Sequence, residues 1–400
     1  MFAMLSKTSE WCGGPIQLCP FNAYQLPSDI QQKNGQNMKI SRIKLFVVNV
    51  PERHWWWSDD IYGQPLHQRA EHGICAIETD QGLTGLTQIE RFTPHETMAS
   101  VLQSWLGRDI LTVNLAEPEA LMASSFEQAV LDLRGQALGV PVWQLLGGRM
   151  RECVPITQCT GYKTPEHTAE DAQRGWERGF RTYKMKCITA AEKTPEERLR
   201  YVVDRIEAIH EKVPDMAVRP DIRWRLEEVW VAQELAKRLQ GHLVESLESP
   251  ITKGASAGTF SEWRRLRETI HLPIGDHVRD SDDLIRRFQA QALDYAIVGG
   301  PTHSATLAHS RLAAELGMGG WSQTVAYGPG AAMGLHLAAC MPHLTQPYDM
   351  VGPMAWQHDL TNEAFEFVDG SLQVPDRPGL GFTLDLGAVK EYLVREQVFE

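Results

Sequence analysis

Lys184 and Lys186 stand two residues apart in the run Tyr183-Lys184-Met185-Lys186. On a β-strand, residues at that spacing face the same way. Two ammonium groups crowded on one face lower the pKa of at least one of them. The pair therefore predicts a lysine able to act as a general base near neutral pH. Downstream, three acids each close a short run that reads as a strand. Asp221 follows Ala217-Val218-Arg219-Pro220, Glu248 ends the run from Leu243, and Asp276 follows Leu272-Pro273-Ile274-Gly275. Counted from Lys186, the steps are 35, 27 and 28 residues, which suits one β/α unit each. Glu245, in the same run as Glu248, is the alternative acid there. A base facing three carboxylates describes metal-assisted removal of a proton beside a substrate carboxylate.

The elements that must hold these residues are an alternating series of strands and helices from Cys153 onward. A strand over Val154–Cys159 precedes a helix opened by Thr164-Pro165, and the lysine strand follows. Thr194-Pro195-Glu196-Glu197 combines an N-cap threonine, proline at the first helical position and a capping-box glutamate. Leu199, Val202, Val203, Ile206 and Ile209 then give that helix an apolar face. Further helices read over 226–239, 261–269, 281–292 and 305–316. Such alternation implies parallel strands with outer helices, an α/β fold whose active residues gather at the C-terminal strand ends.

Before Cys153 the pattern differs. Strands over 40–50, 74–79 and 83–89 include a hairpin turned by Asp80-Gln81-Gly82, and helices follow over 94–105 and 117–138. Residues 1–37 lack periodicity and read as an extension, with Met38 a possible functional start. The loop 51–73 carries His54-Trp55-Trp56-Trp57. Three adjacent tryptophans cannot all face one way, so the loop is either a packed or intersubunit contact or a lid over a site, with Trp56 as a substrate contact.

Net charge of −12 argues against nucleic acid and anionic membranes as partners, and an anionic substrate would need local positive charge. The seven cysteines show no CxxC or zinc-like spacing and read as reduced thiols of a cytoplasmic protein. No apolar run is long enough for a membrane span, and no signal peptide is evident.

Taken in order, the motifs resemble the enolase superfamily, in its mandelate racemase/muconate lactonizing branch. The resemblance covers about residues 38–395. It rests on Thr79-Asp80-Gln81-Gly82 with Gly85, on the run from Ala129 to Pro141 continuing into Leu145-Leu146-Gly147-Gly148-Arg149, and on the Lys-Met-Lys strand. Glu248-Ser249-Pro250, the Gly299-Gly300 turn and Pro378-Gly379-Leu380-Gly381 complete it.

The resemblance implies an α+β capping domain over 38–150, a modified (β/α)₇β TIM-like barrel over 151–360 and a C-terminal segment over 361–400 that returns to the cap. It implies one Mg²⁺ held by Asp221, Glu248 and Asp276, hard oxygen ligands suited to that ion. It makes Lys186 the base and Lys184 the cation beside it. A homo-oligomer acting on a small carboxylate is expected.

The chain also departs from the family pattern. Relatives carry an Asp–His pair on the opposite face. Asp294 stands at the Asp position, but Gln323 stands where His is expected, and glutamine carries no titratable proton. Asp294 is thus either a catalytic residue or a structural acid. A lysine on the sixth strand is absent too, since Ile297 occupies its place. Racemisation, which needs proton transfer on both faces, is disfavoured on this ground. Arg223 replaces an asparagine and would clamp a substrate carboxylate or pair with a loop acid. His277 and Tyr327 are further candidate substrate contacts, and His303 reads as a surface residue. The expected function is a Mg²⁺-dependent dehydratase of an aldonic or aldaric acid. The alternatives are a racemase or epimerase, or a catalytically reduced relative that binds metal or sugar acid.

Overall fold

The structure, a computed structural model, describes residues 37–53, 71–89, 93–115, 122–252 and 260–400. The tryptophan loop, with Trp56, and nearly all of the N-terminal extension lie outside these residues. Met38–Glu400 forms one compact unit.

Its first part is built on strands β1 (Ile40–Val48), β2 (His72–Thr79) and β3 (Thr84–Gln88). They pair antiparallel, and the β2–β3 hairpin turns at Gly82, whose φ of +79° suits glycine. Alternate residues Ile43, Leu45 and Val47 of β1 pack with Leu102 and Trp105 of helix α1 (His95–Trp105) and with Val130 and Leu133 of α2 (Ala123–Leu138). The other face, including Phe46 and Val48, joins a core with Leu131, Leu335 and Trp356. The sheet is buried on both sides, cap against barrel.

The expected strand over 154–159 is two strands. β4 (Cys153–Pro155) pairs antiparallel within a small sheet with β15 (Ser371–Gln373), which also pairs β14 (Phe367–Val368). β5 (Gln158–Cys159) turns into the barrel. The chain changes partners at Ile156, and the strand breaks there.

The barrel strands are β5, β6 (Thr182–Lys186), β7 (Ala217–Asp221), β8 (Leu247–Glu248), β9 (Ile274–Val278), β10 (Tyr295–Val298) and β11 (Gly319–Trp321), parallel and in that spatial order. β12 (Gln323–Thr324) pairs parallel with β13 (Asp349–Met350), and a parallel bridge between Tyr348 and Ile156 joins this last strand to the first. Helices alternate with the strands outside. Thr194 caps Pro195–Lys212 through a complete capping box, and Leu199, Val202, Ile206 and Ile209 lie in one core with Met185 and Val218. This is the α/β barrel with a capping sheet that the motifs imply.

The barrel floor is filled by Trp321, with the Arg219 guanidinium 3.9 Å over its ring. A Cβ at Gly275 would stand 2.7 Å from that ring, so only glycine fits there. In the cap, β16 (Leu393–Phe399) pairs antiparallel with β1, completing the order β16-β1-β2-β3. Among the described residues, no helix is long and apolar enough to cross a membrane.

Candidate active site

Parallel register places Lys186 beside Asp221 and Asp221 beside Glu248. All three acids and bases therefore rise at adjacent strand ends. Lys184 Nζ donates 2.8 Å hydrogen bonds to Glu248 Oε1 and to Asp349 Oδ2, and lies 3.7 Å from Asp221 Oδ2. Lys186 Nζ donates to Asp221 Oδ2. Lys184 is buried, whereas the Lys186 side chain keeps 28% of its surface exposed to the cavity above.

Neither lysine has the depressed basicity expected from crowding. Burial pushes the Lys184 ammonium down, but Asp349, Glu248 and Asp221 outweigh it and raise its pKa well above the ordinary lysine value. For Lys186 the same contest between burial and Asp221 ends upward, although Lys184 opposes it. Burial likewise pushes Asp221 up, and the two ammonium groups hold it far below the usual carboxylate range. Opposite charges at contact outweigh a like charge farther off.

Asp349 was not foreseen. It is buried on the eighth strand, and its second oxygen accepts 3.0 Å from Arg219 Nη1. Arg219 in turn forks onto Glu245 at 2.7 and 2.9 Å. Glu245 is thus an anchor for Arg219 below the site, and Glu248 is the acid that faces the cavity. The signal for Asp349 was slight: a two-residue strand, one β/α step after Gln323.

Lys184, Lys186, Asp221, Glu248 and Asp349 line a cavity of about 330 Å³ together with Arg223, His277 and Gln323. Arg223 and Trp224 are both left-handed, at φ +55° and +63°, a strained turn directly after Asp221. Arg223 Nη1 donates 2.8 Å to the Tyr162 hydroxyl. His277 Nε2 is 3.6 Å from Glu248 Oε1.

Three expected site residues lie elsewhere. Asp294 precedes β10, at the N-terminal end of the barrel, where it accepts 2.7 Å from Arg267 Nε and 2.9 Å from the Ile274 amide. It is a structural acid. Tyr327 caps helix Gly328–Cys340 and is fully buried, its ring 4.2 Å from Trp356 and 4.6 Å from His72. Asp276 is buried outside the cavity lining, accepting 3.0 Å from Trp224 Nε1 and 2.7 Å from Ser249 Oγ, with Arg287 Nη1 3.0 Å from its other oxygen. On the pleat Asp276 and His277 face opposite ways, and His277 is the one that reaches the cavity.

The family described as Enolase C-terminal domain-like matches residues 167–388. The chain belongs to this family. Its relatives lie in the mandelate racemase/muconate lactonizing branch of the enolase superfamily. An N-succinyl-L-Arg/Lys racemase of Bacillus cereus is 24% identical over 90% of this chain and 100% of its own length. A muconate cycloisomerase of Rhodococcus opacus is 26% identical over 89% of this chain and 99% of its own. Among solved structures, the N-succinyl Arg/Lys racemase from Bacillus cereus superposes with a TM-score of 0.75 at 20% identity, covering 90% of this chain and 100% of that one. Muconate cycloisomerase from Pseudomonas fluorescens gives 0.74 at 21%, covering 89% and 99%. The structural likeness shows the fold. This superfamily member is therefore an enzyme of an isomerase-rich branch, similar to proteins that act on small carboxylates.

Members of the superfamily generally use Mg²⁺. The donor set of this chain fits that ion only in part. Asp221 and Glu248 are hard oxygen donors at adjacent strand ends, and Glu248 Oε2 is buried without a hydrogen-bond partner. Asp276, however, is engaged by Arg287, Trp224 and Ser249. Among the described residues no three His, Cys, Asp or Glu side chains are grouped to hold a metal. The expected trio is not assembled.

Proposed function

We propose that this chain removes the α-proton of a small hydroxy-carboxylate through Lys186 and eliminates the β-hydroxyl as water, an acid-sugar dehydratase reaction. The observation that carries this is the asymmetry of the two lysines. Lys184 is buried among three carboxylates, while the Lys186 side chain keeps 28% of its surface exposed. Arg223, beside it, supplies a fork for the substrate carboxylate. As α-proton removal builds charge on that carboxylate, Arg223 and the fixed Lys184 ammonium favour the enediolate.

Abstraction calls for the free amine. Lys186 as it stands is an ammonium paired with Asp221, so Asp221 decides when it becomes a base. His277 can pass a proton to the departing hydroxyl. Asp221 and Glu248 are the cavity-facing residues that would hold Mg²⁺, the ion the superfamily generally uses.

Racemisation is the second reading, favoured by the names of the racemase relatives. It would require His277 to return the proton to the α-carbon from the other face. The test is proton NMR in D₂O across aldonic and aldaric acids, with and without Mg²⁺. Elimination gives a 2-keto-3-deoxy acid, and racemisation gives deuterium at the α-carbon with no loss of hydroxyl. Neither event in any acid, or full activity retained in Lys186→Ala, overturns the proposal.

A further inference from the structure

A second cavity of about 250 Å³ adjoins the first, and Gln323 and Val325 line both. The end of the seventh strand is therefore the partition between two compartments. They differ sharply in chemistry. The first is walled by Lys184, Lys186 and Arg223 set against Asp221, Glu248 and Asp349. The second is bounded by Gln88 of β3, by Ser124 and Gln128 of α2, and by Thr302, Ser322 and Thr324 at the barrel rim. Among its described lining residues none is Lys, Arg, Asp or Glu. Its titratable lining groups are His303, which sits 3.3 Å from Ser124 Oγ, and the buried Tyr348. His303 is thus part of a cavity wall, not a surface residue.

We propose that this second cavity is a subsite for an uncharged, hydrogen-bonding arm of the substrate whose carboxylate occupies the first. This deepens the reading above and rests on it. The substrate class it selects is a monocarboxylate with a neutral polyhydroxy tail, an aldonate, in preference to the dicarboxylate aldarate. Amide and hydroxyl side chains replace the water lost by ligand hydroxyls at little net cost. A second carboxylate there would be desolvated with no described Lys or Arg to pair it, which disfavours its binding.

Within this wall the side chains differ in their remaining capacity. Gln88 Oε1 accepts 2.6 Å from the Tyr327 amide, and Thr324 Oγ1 shares a 2.6 Å bond with the Tyr348 hydroxyl, so both are structural. Gln128 Nε2 reaches Leu86 O only at 3.5 Å, the limit of a useful hydrogen bond. Gln128 is the residue with capacity for a ligand. Gln323, exposed on the partition, can address either side.

The experiment is calorimetric titration of the full chain with D-gluconate, D-glucarate and D-glycerate, for wild type and for Gln128→Leu. Gluconate is expected to bind at least tenfold more tightly than glucarate, which differs by the second carboxylate, and than glycerate, which lacks the arm. Gln128→Leu is expected to bring gluconate down to the glycerate level and leave glycerate unchanged. Glucarate binding as tightly as gluconate overturns the proposal, as does equal loss for all three ligands in Gln128→Leu. The wild-type comparison stands alone should the variant fold poorly. If gluconate binds tightly and is not turned over, the dehydratase reading falls and the subsite holds. If glycerate binds and gluconate gains nothing, the subsite falls alone. Binding of none of the three overturns both.

Discussion

The Lys184 ammonium lies 2.8 Å from a carboxylate oxygen of Asp349, across 165 residues of chain. Asp349 also accepts from Arg219, and Lys184 also reaches Glu248. The barrel interior thus holds a continuous ionic chain running Glu245, Arg219, Asp349, Lys184, Glu248. Arg219, Asp349, Lys184 and Glu248 are buried, and each is compensated by its neighbour. Such a chain fixes side-chain positions beneath Lys186 with no slack.

Asp349→Ala is expected to destabilise the protein by about 3–5 kcal/mol, because it leaves Lys184 and Arg219 each short of a buried partner. Urea unfolding of the variant against wild type reads this directly. A loss below about 1 kcal/mol would show that neither cation depends on Asp349.

Asp221 and Asp276 should part company in metal binding. Asp221 faces the cavity, and Asp276 is turned toward Arg287. A Mn²⁺ titration followed by electron paramagnetic resonance is expected to show binding abolished in Asp221→Asn and changed less than about twofold in Asp276→Asn. Equal loss in both would mean that Asp276 swings round to the ion.

Asp294→Asn tests the reassignment of that residue to structure. It weakens the ion pair with Arg267 at the barrel's N-terminal end, so a loss of about 1–2 kcal/mol is expected. Turnover of any identified substrate should stay within about twofold. A hundredfold fall in kcat with unchanged stability would return Asp294 to the chemistry.

His336 supplies a pH dependence. Its Nδ1 accepts from the Trp143 amide at 3.3 Å, so Nε2–H donates to Leu380 O at 3.1 Å. Burial pushes its pKa down to about 4. The folded value lies below the unfolded one of about 6.5, so the stabilisation is full above pH 6.5 and is lost as pH falls toward 4. A single such group contributes about 3 kcal/mol. Unfolding free energies measured from pH 7 to 4 should fall accordingly, and His336→Gln should flatten that part of the curve. An unchanged slope in the variant would place the acid sensitivity elsewhere.

Much of this molecule could be read from local chemistry. Thr194 with Glu197 marked a helix start because the capping box is a short-range pattern, and the helix begins there. The spacing of Lys186, Asp221 and Glu248 was legible because each closes a parallel strand, where register brings neighbours level. Asp276 shows the limit of that logic. A one-residue slip along a strand sends a side chain to the other face, and spacing does not resolve one residue. Helix Gly328–Cys340 escaped notice because it is buried all round and has no polar stripe to give a period. Lysine basicity was misjudged because the pair is visible in the chain, while Asp349, the strand-eight acid that offsets it, comes from far downstream.

The pairing of β1 with β16 has a consequence for how the protein is made. Phe399 lies opposite Ile43 and Arg395 opposite Val47, so the first strand of the cap waits for β16, which is made only after every strand of the barrel. Until then one edge of β1 is an open template, with free amides and carbonyls facing other nascent chains. Synthesis of β16, rather than completion of the barrel, is the moment that seals this edge. A chain lacking β16 would keep that edge open for life.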